Sequence, residues 1–203
     1  MRWWQRQLPA LLMNALALVP LAWLAADAAF DRLSANPIQD IQLRTGLYAI
    51  ILLTLSLASS PLYRLIGSSW LLLLRRLAGL YAVGYASLHL LNFLWLDYGF
   101  NLTFLRQDIF EKRYAVAGLA AYICLLPMVV YSFIHRRQQT KMRRYWRFLV
   151  YPAALLAAIH FIWQAKIDIR QPLAFMVIIV ILLLARLPPV SRWLDGAGRQ
   201  NTK

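Results

Sequence analysis

Cysteine is almost missing. Cys124 is the only one in 203 residues and lies inside an apolar run, so the chain can build neither a disulfide framework nor a cysteine-ligated zinc site of its own. Acidic residues are nearly as scarce: 8 Asp and Glu stand against 22 Lys and Arg, for a formal charge of +14. Charged residues make up only 15% of the chain and hydrophobic ones 61%, which excludes an ordinary soluble domain, where about a quarter of residues are charged. The apolar runs between the charge clusters are too long for a basic nucleic-acid-binding domain. A Walker loop, a dinucleotide-binding glycine fingerprint and a nucleophile elbow are all absent, so no equipment for hydrolytic chemistry is visible. There is no internal repeat or low-complexity stretch, and no connection long enough for a second domain. Residues 1–203 read as a single transmembrane domain.

What is present is apolar length. A helix rising ~1.5 Å per residue needs about 20 apolar residues to cross ~30 Å of hydrocarbon. Six segments meet or approach that length: 8–26, 47–66, 77–96, 115–134, 148–165 and 172–187. The second carries Pro61 and Arg64 near its end, and the last is short enough to span only with snorkelling flanks. Every backbone amide must be paired inside lipid, and none of these runs alternates with period two. The expected fold is therefore all-α, a six-helix polytopic bundle. Arg2 and Arg6 ahead of the first run look like the start of a signal peptide, but the length of the run favours an uncleaved first span.

Lys and Arg are retained on the cytoplasmic side, which orients the bundle. With the N-terminus inside, 15 of the 22 basic residues fall on inner segments, among them Arg64, Arg75, Arg76, Arg143, Arg144, Arg147 and Arg186. Seven of the 8 acids fall outside, and only Asp195 is inside. Both termini are expected in the cytoplasm, and the positive charge is explained by orientation and anionic lipid without a nucleic-acid partner. The longest outer connection, 27–46, contains the turn signal Asn36-Pro37 and is the expected docking surface for an external partner.

Ionisable groups at membrane depth are costly and usually face an interior site. Here they are His89 and His160. A lone intramembrane histidine is most simply packing glue between helices. Depth changes that balance, because the third and fifth spans run in the same direction, and each histidine lies 13 residues after the last basic residue before its span, Arg76 and Arg147. Both imidazoles should sit about 20 Å from the inner boundary, level with each other and nearer the outer face. Two imidazoles at one depth can supply both axial ligands of a haem iron. Gly79 and Gly84 on the third span, with Ala153, Ala154, Ala157 and Ala158 on the fifth, would let a planar group approach, although close helix packing accounts for them equally well. Tyr81, Tyr85, Phe93, Phe161 and Trp163 could flank it, or serve as core and interface anchors. Asn92 and Asp97 could cap or bridge helices, and His135 reads as a solvated inner-loop residue. Arg106, Lys166 and Arg170 near the outer face could pair with haem propionates, beside their simpler reading as loop charge.

Several stretches together resemble the MsrQ (YedZ-type) family of haem-binding membrane subunits. They are Asn36-Pro-Ile-Gln-Asp-Ile-Gln followed by Thr45-Gly46; Ser60-Pro61-Leu62; Leu74-Arg-Arg-Leu-Ala-Gly-Leu-Tyr81 running into Leu88-His89-Leu90; Lys112-Arg-Tyr-Ala-Val-Ala-Gly118; Tyr145-Trp-Arg; and Ile159-His160-Phe-Ile-Trp163. The resemblance implies a ferric-reductase-like core over about 40–187, with a short cytoplasmic tail at 188–203. It implies a subunit of the bacterial inner membrane that passes electrons from the quinone pool through haem b to a periplasmic molybdopterin enzyme repairing oxidised methionines, rather than a stand-alone catalyst. It also implies a heterodimer with that enzyme, FMN as a further cofactor, and His89 and His160 in the ligand positions. Arg75 and Arg76, with Arg143 and Arg144, would then be placed to contact an FMN phosphate, although membrane orientation is their simpler use. Where the family carries an inner histidine this chain has Arg147, whose guanidinium has no lone pair for iron. One haem per chain is expected, with His135 a weak substitute for a second. The competing readings are a cytochrome b subunit for another periplasmic oxidoreductase, and a small transporter or structural membrane protein without haem.

Overall fold

The computed structural model describes residues 4–134 and 148–190, and among them every regular element is helical. They run α1 (Trp4–Ala29), α2 (Pro37–Ile66), α3 (Trp70–Asn92) continued by a π-helical turn (Phe93–Asp97), α4 (Leu102–Glu111), α5 (Arg113–Ile134), α6 (Val150–Gln164) and α7 (Arg170–Leu184). Four stretches are long and apolar enough to cross a membrane: Leu8–Ala29, Pro37–Ile66, Trp70–Asp97 and Arg113–Val130. The expected fifth and sixth spans appear as apolar helices of 15 residues each, roughly 22 Å long. The basic loop carrying His135, Arg143, Arg144 and Arg147 lies outside the described residues, as does the tail beyond 190.

Two compact units are present, Met1–Tyr85 with Leu184–Lys203, and Ala86–Leu183. In the first, α2 begins ten residues before the apolar run that predicted it. Asn36 caps the helix by accepting the Gln39 amide at 3.2 Å, and Pro37, which has no amide to lose, takes the first helical position. The expected 27–46 connection thereby shrinks to the few residues between Ala29 and Pro37. Arg44, one face down from the cap, bridges Asp40 at 2.7 Å and Asp27 at 2.6 Å, pinning the end of α1 to the start of α2. Asp27 is buried. Arg44→Ala leaves that carboxylate without its cation, and a stability loss of about 2 kcal/mol is expected, read as the thermal midpoint in detergent.

Further along, Ser56 donates to the Arg75 carbonyl at 2.8 Å, and a Cβ on Gly79 would stand 3.1 Å from the Ser56 hydroxyl. The missing side chain at Gly79 is used by this packing of α2 on α3, not by a flat ligand. Tyr81 and Tyr85, expected beside a macrocycle, turn to α1: their hydroxyls donate to the Asn14 side chain at 3.2 Å and the Ala17 carbonyl at 2.8 Å. Proline at 61 removes the amide that would have bonded the Leu57 carbonyl one turn back. Arg186 fills that place, donating from Nη2 to the Leu57 carbonyl at 2.9 Å and to the Ser60 hydroxyl at 3.2 Å. One face of α1 stays open, with Leu12, Leu16, Val19 and Trp23 exposed as a lipid-facing stripe should be.

In the second unit α6 packs along α5 and α4 rests on α5. Both long faces are small: Ala115, Ala117 and Ala121 on α5 and Ala153, Ala154 and Ala158 on α6 are buried. Small residues let two backbones approach closely, so the α6 alanines read as helix packing. Ser87 on α3 and Tyr122 on α5 are joined by a hydroxyl hydrogen bond of 2.9 Å. The short helix α4 has no counterpart among the expected spans. Asn101 caps it, accepting the Thr103 amide at 3.1 Å, and Leu105 is its buried contact.

Candidate functional site

Helical rise fixes the level of a side chain along its own helix and says nothing about its azimuth. The second unit supplies that coordinate: α3 and α6 bring the rings of His89 and His160 to 5.9 Å between centres, with their planes 86° apart. With metal–nitrogen bonds of about 2 Å and roughly 1.1 Å from nitrogen to ring centre, two imidazoles on opposite sides of one metal stand about 6.2 Å apart. The observed separation is about 0.3 Å short of that.

The His160 ring is fixed from behind. Its Nδ1 lies 2.6 Å from the carbonyl oxygen of Tyr114 on α5. A carbonyl only accepts, so Nδ1 carries the proton and Nε2 keeps its lone pair. That is the arrangement of a ligating histidine, whose second nitrogen is usually tied to a carbonyl or carboxylate. The Tyr114 ring also sits against the imidazole, 6.2 Å between centres. One turn further along the same face of α5, Gly118 makes room: a Cβ there would lie 2.7 Å from His160 Nδ1.

Among the described residues no three His, Cys, Asp or Glu side chains converge. A metal held by this pair would be completed by a group that carries its own ligands, such as the four nitrogens of a porphyrin. The donor set thus fits haem: two imidazoles close to the required spacing, with the Nε2 lone pair of His160 available.

Other expected contributors are elsewhere. Phe93 packs on Tyr98, with ring centres 4.8 Å apart, Phe161 packs on Phe175 at 5.9 Å, and Trp163 is exposed. Asn92 is buried one turn after His89, and Asp97 is exposed at the end of the π-turn. Gly84 opens onto space with nothing within 4 Å of a Cβ. Arg106 on α4, Lys166 between α6 and α7, and Arg170 at the start of α7 are exposed. Arg75 is half-buried and Arg76 exposed. Sequence reasoning missed Tyr114 and Gly118 as parts of the site, although both lie in one of the quoted motifs.

Residues 11–159 match the family described as ferric reductase like transmembrane component. The protein-methionine-sulfoxide reductase heme-binding subunit MsrQ of Xanthomonas campestris pv. campestris (strain 8004) is 37% identical over 180 residues, covering 84% of this chain and 82% of that protein. The same subunit of Xanthomonas axonopodis pv. citri (strain 306) is 36% identical over 200 residues, covering 94% and 88%. That of Herminiimonas arsenicoxydans is 36% identical over 174 residues, covering 84% and 80%.

Proposed function

Because the chain belongs to the MsrQ family, haem-binding subunits of protein-methionine-sulfoxide reductases among the ferric-reductase-like transmembrane components, we propose that it is the membrane electron-transfer subunit of such a system. In this reading it lies in a bacterial inner membrane and draws reducing equivalents from quinone. It delivers them to a periplasmic molybdopterin reductase, bound as a heterodimer, that repairs oxidised methionines. It crosses the membrane six times with both termini in the cytoplasm, α6 and α7 completing the four longer spans. The placement of 15 of 22 basic residues on one side supports that orientation.

The observation that carries the reading is the meeting of His89 and His160 at 5.9 Å, with His160 held in one tautomer. Haem b bound between them would supply one-electron carriage. The chain's own residues do the rest. His160 presents Nε2 because the Tyr114 carbonyl holds the proton on Nδ1, and His89 approaches from α3 with its ring plane turned nearly a right angle away. With Arg147 at the inner position, the proposed stoichiometry is one haem per chain.

Purified from cells grown with ample haem, the chain is expected to show a Soret band and one haem b per chain by the pyridine haemochrome assay. Anaerobic addition of a reduced quinone should convert it to the ferrous spectrum. Absence of a Soret band removes the electron-transfer role, a second haem removes the proposed stoichiometry, and an unresponsive ferric spectrum removes quinone as donor. FMN is proposed as a further cofactor, with Arg75 and Arg76 at its phosphate. Replacing both with alanine should lower the flavin released on denaturation and leave the haem spectrum unchanged. Undiminished flavin would remove the two arginines from that role.

A further inference from the structure

His160 meets α5 at one point of its backbone. Its Nδ1 is 2.6 Å from the Tyr114 carbonyl, and an added Cβ on Gly118 would lie 2.7 Å from Nδ1, 2.9 Å from Cε1 and 3.2 Å from Cγ of the same ring. These contacts share a cause. Residues four apart are hydrogen-bonding partners in an α-helix, so the Tyr114 carbonyl points along the helix toward the amide of residue 118. Any side chain at 118 would leave the backbone beside that carbonyl and cover it. Glycine leaves the carbonyl open, and the imidazole edge enters the opening. A helix interior favours alanine over glycine, as the neighbours Ala115, Ala117, Ala120 and Ala121 illustrate, so glycine at 118 costs the helix stability that the inserted ring offsets.

We propose that Gly118 and the Tyr114 carbonyl form a positioning notch in α5 that sets the tautomer and ring plane of His160. The notch would thereby govern how tightly His160 holds haem iron and at what potential. The proposal rests on the reading of His160 as an axial ligand. A hydrogen bond from Nδ1 to a carbonyl makes Nε2 a stronger donor. A stronger donor favours the ferric state, so an intact notch lowers the midpoint potential and a blocked one raises it. The notch also holds the ring against rotation about its own side-chain bonds, preserving the 86° angle to His89. Gly118 and Tyr114 are positioning groups: they act on iron only through His160.

Gly118→Ala tests this directly, since its methyl would stand where the ring now lies. Haem affinity should fall about 10- to 100-fold, the usual effect of losing an outer-shell partner of a metal ligand, and occupancy should fall with it. The fraction that still binds haem should show a more positive midpoint potential and an altered low-spin ferric EPR signal. Gly84→Ala, at a glycine where a Cβ meets nothing within 4 Å, is the matched control and should change none of these. If His160→Ala keeps a six-coordinate bis-imidazole spectrum, the ligand reading itself fails. If His160→Ala loses that spectrum while Gly118→Ala keeps wild-type occupancy, potential and EPR signal, the notch fails and the ligand reading stands. Should Gly118→Ala not fold, the tautomer decides. In the haem-free His89→Ala, His135→Ala variant, 15N-histidine NMR should show His160 protonated on Nδ1, and protonation on Nε2 would overturn the notch.

Discussion

His160→Ala is expected to leave the purified protein with less than a tenth of its haem, and whatever remains should be five-coordinate. Loss of an outer-shell partner alone lowers metal affinity by roughly 10- to 100-fold, and removal of a ligand should do at least as much. His89→Ala should have a similar effect on occupancy, because a low-spin bis-imidazole iron requires both rings. The two variants should differ in rescue. Free imidazole added to His160→Ala enters a space from which the Tyr114 carbonyl is reachable, so it can be held as the native ring is, and the six-coordinate spectrum should return in part. A six-coordinate spectrum in either variant without added imidazole would show that the 5.9 Å approach of the rings is packing alone.

A large stability effect is expected at Arg186. Its guanidinium donates to the Leu57 carbonyl, the acceptor that Pro61 deprives of its helical amide, and to the Ser60 hydroxyl. Inside a membrane protein no water is at hand to replace that donor, and an orphaned buried carbonyl costs about 1–3 kcal/mol. Arg186→Ala should therefore lower the unfolding free energy in detergent by that order. The cause can be isolated with Pro61→Ala, which restores the amide of residue 61 and with it the helical partner of the Leu57 carbonyl. In that background Arg186→Ala should cost clearly less, giving a positive coupling between two residues 125 positions apart in sequence. Equal costs in the two backgrounds would mean that Arg186 stabilises the unit by its charge or its packing, not by mending the helix.

The parts of this molecule that sequence reasoning reached are those governed by spacing along one helix. Apolar length found the cores of all six apolar helices, and helical rise put His89 and His160 on one level. The parts it missed depend on local capping or on azimuth. The start of α2 lies in the polar stretch 37–46, and an apolar-run criterion passes over it even though Asn36-Pro37 states it plainly. Ten-residue α4 is too short to register as a span, and its signal, Asn101 before Leu102, is again a cap. Arg186 was legible only as a charge that orients the membrane, because nothing in its neighbourhood reveals a carbonyl vacated by Pro61 far upstream. Tyr114 contributes to the site through a backbone oxygen and Gly118 through the lack of a side chain. Neither property belongs to a residue type associated with metal binding, so both were visible as part of a familiar motif and not as parts of a site.

The π-helical turn Phe93–Asp97 follows His89 within one turn of α3. Five residues wound at i→i+5 hold about one residue more than the same length of α-helix, and they swing everything beyond them round by roughly 100°. The connection that follows is in this way angularly decoupled from the helix that carries the histidine. Removing a single residue between 93 and 97 would let the backbone relax to ordinary α pitch, re-aiming Tyr98 and the entry to α4 while the azimuth of His89 is untouched.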